Sequence, residues 1–108
     1  MIPALLVCFV LTAPAFAASG SFVGQVVNGP SFDAGKKWVF IQGAHGSVRR
    51  VEISAAKIVF GSSVGKQDCD ARPEDAVREG AQVRVTASQD GQGEWRASLV
   101  EIVKLAPK

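Results

Sequence analysis

Apolar and polar residues alternate most cleanly at positions 81–87, where Val83, Val85 and Ala87 interleave with Gln82, Arg84 and Thr86. A period of two marks a strand with one buried face. The same period runs through 21–27. There Phe22, Gly24 and Val26 share one face and Val23 and Val27 the other, and a glycine inside the run predicts a bend or bulge. Asn28-Gly29-Pro30 is expected to stop that strand, and 31–37 reads as a loop. Residues 38–42 and 47–53 form two further strands around a glycine-flanked turn at 43–46. Pairing them as a hairpin with Val39 and Ile41 facing Val51 and Ile53 inside leaves Trp38, Phe40, Arg50 and Glu52 outside. A loop of the other parity would invert the second strand and bury Trp38 and Phe40.

Residues 55–63 hold a short extended piece ending at Gly61. Pro73, Glu74 and Asp75 suit the start of a helix, Arg78 its end and Gly80 the position just beyond, so about two helical turns are expected after a loop at 66–72. Asp90-Gly91 marks a hairpin turn at 88–93. The last strand, 94–104, changes phase. Ala97 and Leu99 fit one face, Val100 and Ile102 the other, which calls for a bulge near Leu99 or burial on both faces. The expectation is therefore an all-β domain of five strands, with one short helix between the third and the fourth. That order is the layout of a small OB-like Greek-key barrel.

Gly24-Gln25-Val26, the hairpin from Val39 to Ile53, the run Glu79-Gly80-Ala81-Gln82-Val83-Arg84-Val85, Asp90-Gly91 and Ala97-Ser98-Leu99-Val100 carry a further likeness. Together they resemble a family of bacterial secreted domains of unknown function with OB-like β-barrels. The resemblance implies that fold for most of the chain, and it brings no catalytic residues. The loop around Cys69 matches no part of the pattern.

The chain has 108 residues, which suits a single domain. Its first 17 residues are uncharged apart from the amino terminus. An apolar run at 2–11 is followed by Pro14 and Ala15-Phe16-Ala17. This is the layout of a secretory signal peptide cleaved after Ala17, too short and too interrupted by proline for a membrane span. The expected mature domain is 18–108, periplasmic or secreted, with no membrane span. All 12 basic and 10 acidic residues lie in it, and the net charge of +2 is too mild to imply nucleic acid or an anionic membrane.

Cleavage would remove Cys8 and leave Cys69 unpaired, so an internal disulfide is excluded by count. Asp68 and Asp70 beside it disfavour a thiolate, while Arg72 and the helix start act the other way. Cys69 is expected to be idle, the rival being a disulfide between chains. Asp68, Asp70, Glu74 and Asp75 gather four carboxylates, short of the six to eight oxygens calcium takes, and His45 stands alone in its turn. No catalytic residue, metal or cofactor is expected, and the chain is expected to be a monomer. OB-folds bind ligands on the face of strands two and three. Trp38, Phe40 and Arg50 are therefore the candidate binding residues, on the expectation that aromatics beside a cation grip bases or sugars. The competing assignment places Trp38 and Phe40 in the core or under the loop 31–37. The leading expectation is a non-enzymatic binding module of the bacterial envelope, acting on an unknown ligand or envelope protein rather than nucleic acid. The alternative is a cation-binding or stress-related protein using the acidic loop at 68–75.

Overall fold

The computed structural model describes residues 19–65 and 72–107. The expected signal peptide and Asp68, Cys69 and Asp70 lie outside them. Six strands form one sheet: β1 (Ser19–Asp33), β2 (Lys36–Gln42), β3 (Val48–Glu52), β4 (Lys57–Phe60), β5 (Gln82–Gln89) and β6 (Trp95–Lys104). β1 is antiparallel to β5 over its first half and to β2 over its second. β2 pairs with β3 and β5 with β6, again antiparallel. The ring closes where β3 and β6 run parallel through Val51–Trp95 and Glu52–Arg96. Five strands thus close in the order 1-2-3-6-5-1, the OB-like barrel expected from the sequence. The sixth, β4, is the short extended piece at 57–60, and it adds to the same edge of β6 beyond β3 through Leu99–Ile102.

The interior is built from β-branched side chains. Val26, Val39, Ile41, Val51, Val83, Val85, Val100 and Ile102 are all essentially inaccessible to solvent. The β2–β3 loop spans five residues, so Val39 pairs with Val51 and Phe40 with Arg50, the register favoured from the sequence. On β6 the phase change is a bulge. Thr86 faces Leu99 but Ala87 faces Ala97, which leaves Ser98 as the extra residue.

Three expectations are corrected. First, Asn28-Gly29-Pro30 does not end β1. The strand continues to Asp33, with shifts of register between Val26 and Asn28 and between Asn28 and Ser31. Proline breaks a strand by withholding a ladder hydrogen bond. Here Gly29 and Pro30, joined by a cis peptide, sit together in a bulge where the ladder is already interrupted. Second, the supposed loop at 31–37 is a hairpin that turns through Ala34 and Gly35, both at positive φ (54° and 77°), as in a type I′ turn. Third, the helix is a single 3-10 turn, Pro73–Ala76, with no side-chain cap at Arg72.

Gly24 stands where β1 leaves β5 for β2. A Cβ there would lie 2.5 Å from the Gln42 carbonyl oxygen and 2.6 Å from Ile41 Cγ2. The crossing is that close because two strands converge on one, and only a residue without a side chain fits between them.

Candidate functional site

β2 and β3 present Trp38, Phe40, Arg50 and Glu52 on their outer face, since each pairs across the hairpin with another of the set. The turn 90–94 between β5 and β6 folds against this face. Arg50 Nη2 donates to Glu94 Oε2 at 2.9 Å. Arg96 lies 3.6 Å from Glu52 and 3.3 Å from Asp90. Two arginines from neighbouring strands therefore tie the turn to β3.

Trp38 is not an open stacking platform. Only 6% of its surface is accessible. Its Nε1–H donates to the Asp33 carbonyl at 3.3 Å, and the Arg50 guanidinium covers the ring at 4.0 Å from the centroid. The expectation that Trp38 faces outward holds for its strand parity, but Arg50 and the β1–β2 hairpin take the space a base or sugar would need. Phe40 is half-buried beside them, and the Arg50 side chain keeps 38% of its surface exposed. The three candidate residues do meet on one face, and Phe40 and Arg50 are the two a ligand can reach.

No protein family, curated protein or solved structure matches this chain. The site is thus read from its own residues.

The turn that borders the face is held from within. Asp90 Oδ1 accepts from the N–H of Gln92 at 2.8 Å and of Glu94 at 3.1 Å. The Gln92 N–H is the largest influence on the carboxyl. Burial opposes it. The Glu94 N–H and the charges of Arg96 and Lys36 reinforce it, and the net effect holds the pKa of Asp90 below its ordinary 3.8. The β2–β3 turn repeats the same backbone pattern. Gly43 N–H donates to Ser47 and Asp90 N–H to Glu94, both at 2.9 Å, while Gln42 and Gln89 each donate a side-chain N–H into their turns.

Sequence reasoning missed the partners Glu94, Asp90 and Arg96, which are distant from Arg50 along the chain and close only once β3 and β6 pair. It also placed Phe32 in a loop, whereas this residue lies on β1 with 77% of its surface exposed. At the start of the 3-10 turn, Asp75 lies 3.5 Å from Arg72. Among the described residues no group of three or more histidines, cysteines or carboxylates could hold a metal, and no helix is long and apolar enough to cross a membrane.

Proposed function

We propose that this protein is an exported, non-enzymatic binding module of the bacterial envelope. Its OB-like barrel would receive an acidic ligand, an oligosaccharide or an envelope protein, on the outer face of β2 and β3. The observation that carries this reading is the placement of Arg50 beside Phe40, with Trp38 beneath and Glu94 as a displaceable counter-ion. Exposed ion pairs contribute only ~0–1 kcal/mol, so a ligand carboxylate can replace Glu94 at small cost while Phe40 offers an apolar surface. Export is inferred from the uncharged N-terminal run and Ala15-Phe16-Ala17.

Two measurements test the proposal. A ligand bound only to the native state raises its melting temperature. Acidic oligosaccharides should therefore raise it, neutral ones should raise it less, and Phe40→Ala with Arg50→Gln should abolish the shift. Intact mass of exported material should correspond to a chain beginning at Ala18. Absence of any shift across acidic glycans and envelope extracts, or a mass that retains the first 17 residues, counts against the binding and the export parts respectively.

A further inference from the structure

β1, β3 and β6 run in the same direction around the ring, so their N-terminal ends gather at one end of the barrel. The 3-10 turn covers the opposite end, where Val77 enters the core and Gly80 N–H donates to the Val26 carbonyl at 2.9 Å. At the other end, Arg49 has the inward parity of Val51. Its guanidinium lies 4.4 Å from the centroid of Phe22 and 5.2 Å from that of Trp95. These two rings meet edge to face, 6.0 Å apart. Next to them, the cross-strand row Gly20–Ala87–Ala97 supplies only small residues, and a Cβ placed at Gly20 would meet nothing within 4 Å.

The other arginines of the barrel strands, Arg50, Arg84 and Arg96, each have a carboxylate partner. Among the described residues Arg49 has none. The two rings attract its positive charge, but they offer no acceptor to its in-plane N–H donors. A half-buried cation over aromatic rings, with no carboxylate partner among the described residues, is organised to accept a planar, two-pronged anion. The planar fork of arginine is pre-organised, so less freedom is lost per hydrogen bond formed.

We propose that this end of the barrel binds a small oxyanion, a carboxylate or a phosphate. Arg49 holds it through two parallel N–H···O bonds, and Phe22 and Trp95 form the wall. The site shares no residue with the β2–β3 face and does not depend on it.

The test uses Trp95 as the reporter. Trp38→Phe leaves Trp95 as the single indole of the chain. This protein is titrated with inorganic phosphate and separately with acetate, at constant ionic strength with chloride as the balancing anion. The expected result is a saturable change in emission with at least one of them, the stronger response assigning the ligand as phosphate or carboxylate. Arg49→Lys keeps the charge but loses the planar fork, and should weaken binding at least ~10-fold. Arg84→Gln, on the outer wall, should leave the titration unchanged. The wild-type protein gives a second readout that needs no substitution, a shift of the Arg49 Nε–Hε nuclear magnetic resonance signal on adding the same anions. A linear, non-saturating response, equal affinity in Arg49→Lys, or an Arg49 signal indifferent to both anions would overturn the proposal.

Discussion

Arg50 stacks on Trp38 with its guanidinium carbon 4.0 Å from the ring centroid, while its outer nitrogen reaches Glu94 at 2.9 Å. One side chain thus covers an indole and ties down a turn. Arg50→Ala should shift Trp38 emission to the red, as water reaches the ring, and lower stability by about 1 kcal/mol, the sum of a modest cation–π contact and a surface ion pair. Glu94→Gln should leave the emission nearly unchanged, because the stacking contact survives. Identical spectra for Arg50→Ala and the wild type would mean that the cover over Trp38 comes from elsewhere.

Val85 is wholly buried and Arg84, the residue before it on β5, is exposed. Val85→Asp puts a charge without a partner into the core, at a cost of several kcal/mol, against total stability of roughly 5–10 kcal/mol for so small a domain. It should largely unfold the barrel. Arg84→Asp loses the 3.2 Å contact with Glu101 and sets two carboxylates side by side, for a loss of about 1 kcal/mol or less. Circular dichroism melts compare the two directly, and equal losses would contradict the facing of β5.

Gly24→Val should destabilise by about 1–3 kcal/mol or more, since the added carbons must displace the Gln42 backbone and the Ile41 side chain. Gly20→Ala, four residues earlier on the same face, has open space around it. It should be neutral or stabilising by up to ~1 kcal/mol, because alanine gives up less backbone freedom on folding. Urea unfolding midpoints at unchanged m-value measure both.

Ala34 takes φ of 54° in the β1–β2 turn, a region costly for a residue with a Cβ and tolerated better by asparagine or glycine. Ala34→Asn, giving Asn-Gly at the turn, should raise stability by roughly 0.5–1 kcal/mol. A lower melting temperature for this variant would be inconsistent with the type I′ geometry.

The Asp90 carboxyl titrates below 3.8 in the folded protein, principally because the Gln92 N–H stabilises its charge. The unfolded chain therefore takes up this proton first as pH falls. The stabilisation is complete above the unfolded pKa and is lost as pH drops through the folded one. Asp90→Asn should accordingly be less stable than the wild type at neutral pH, and the gap should narrow on acidification below 3.8. Melting curves collected across that range check the sign, and a gap independent of pH would remove the charge from the account.

Much of the barrel was legible because its strands obey local rules. Val83, Val85 and Ala87 announce β5 by alternation alone. The change of phase from Ala97 and Leu99 to Val100 and Ile102 calls for a bulge near Leu99 or burial on both faces, of which the structure has the bulge, at Ser98. The β2–β3 register followed from Val39 and Ile41 needing Val51 and Ile53. The long course of β1 was hidden because Gly29-Pro30 is a stop signal in isolation and becomes a bulge only when β2 lies alongside. The 3-10 turn stayed short because Arg72 offers no cap. At the candidate face, Trp38, Phe40 and Arg50 could be grouped from parity. Cover of Trp38 by residues 31–37 is one of the two readings the sequence allows and is met through Asp33. The ion pair of Arg50 with Glu94 was not legible, because β3 and the β5–β6 turn meet only through closure of the ring. Arg49 was within reach of the same parity rule, since a strand that turns Val51 inward turns Arg49 inward too.

β6 lends one edge to two parallel neighbours in succession, β3 at Trp95–Arg96 and β4 at Leu99–Ile102, and lends the other edge to β5. Closure of the ring therefore waits for β6. A nascent polypeptide that stops short of Trp95 can assemble β1, β2, β3 and β5 only as an open sheet, with β4 left unpaired. Contacts as far apart in sequence as Ser19 and Ser88 also place this fold among the slow ones, where chain closure must precede the gain from packing. The barrel should thus stay open, with β4 lacking its neighbour, until β6 is available. It should then fold in a single late step.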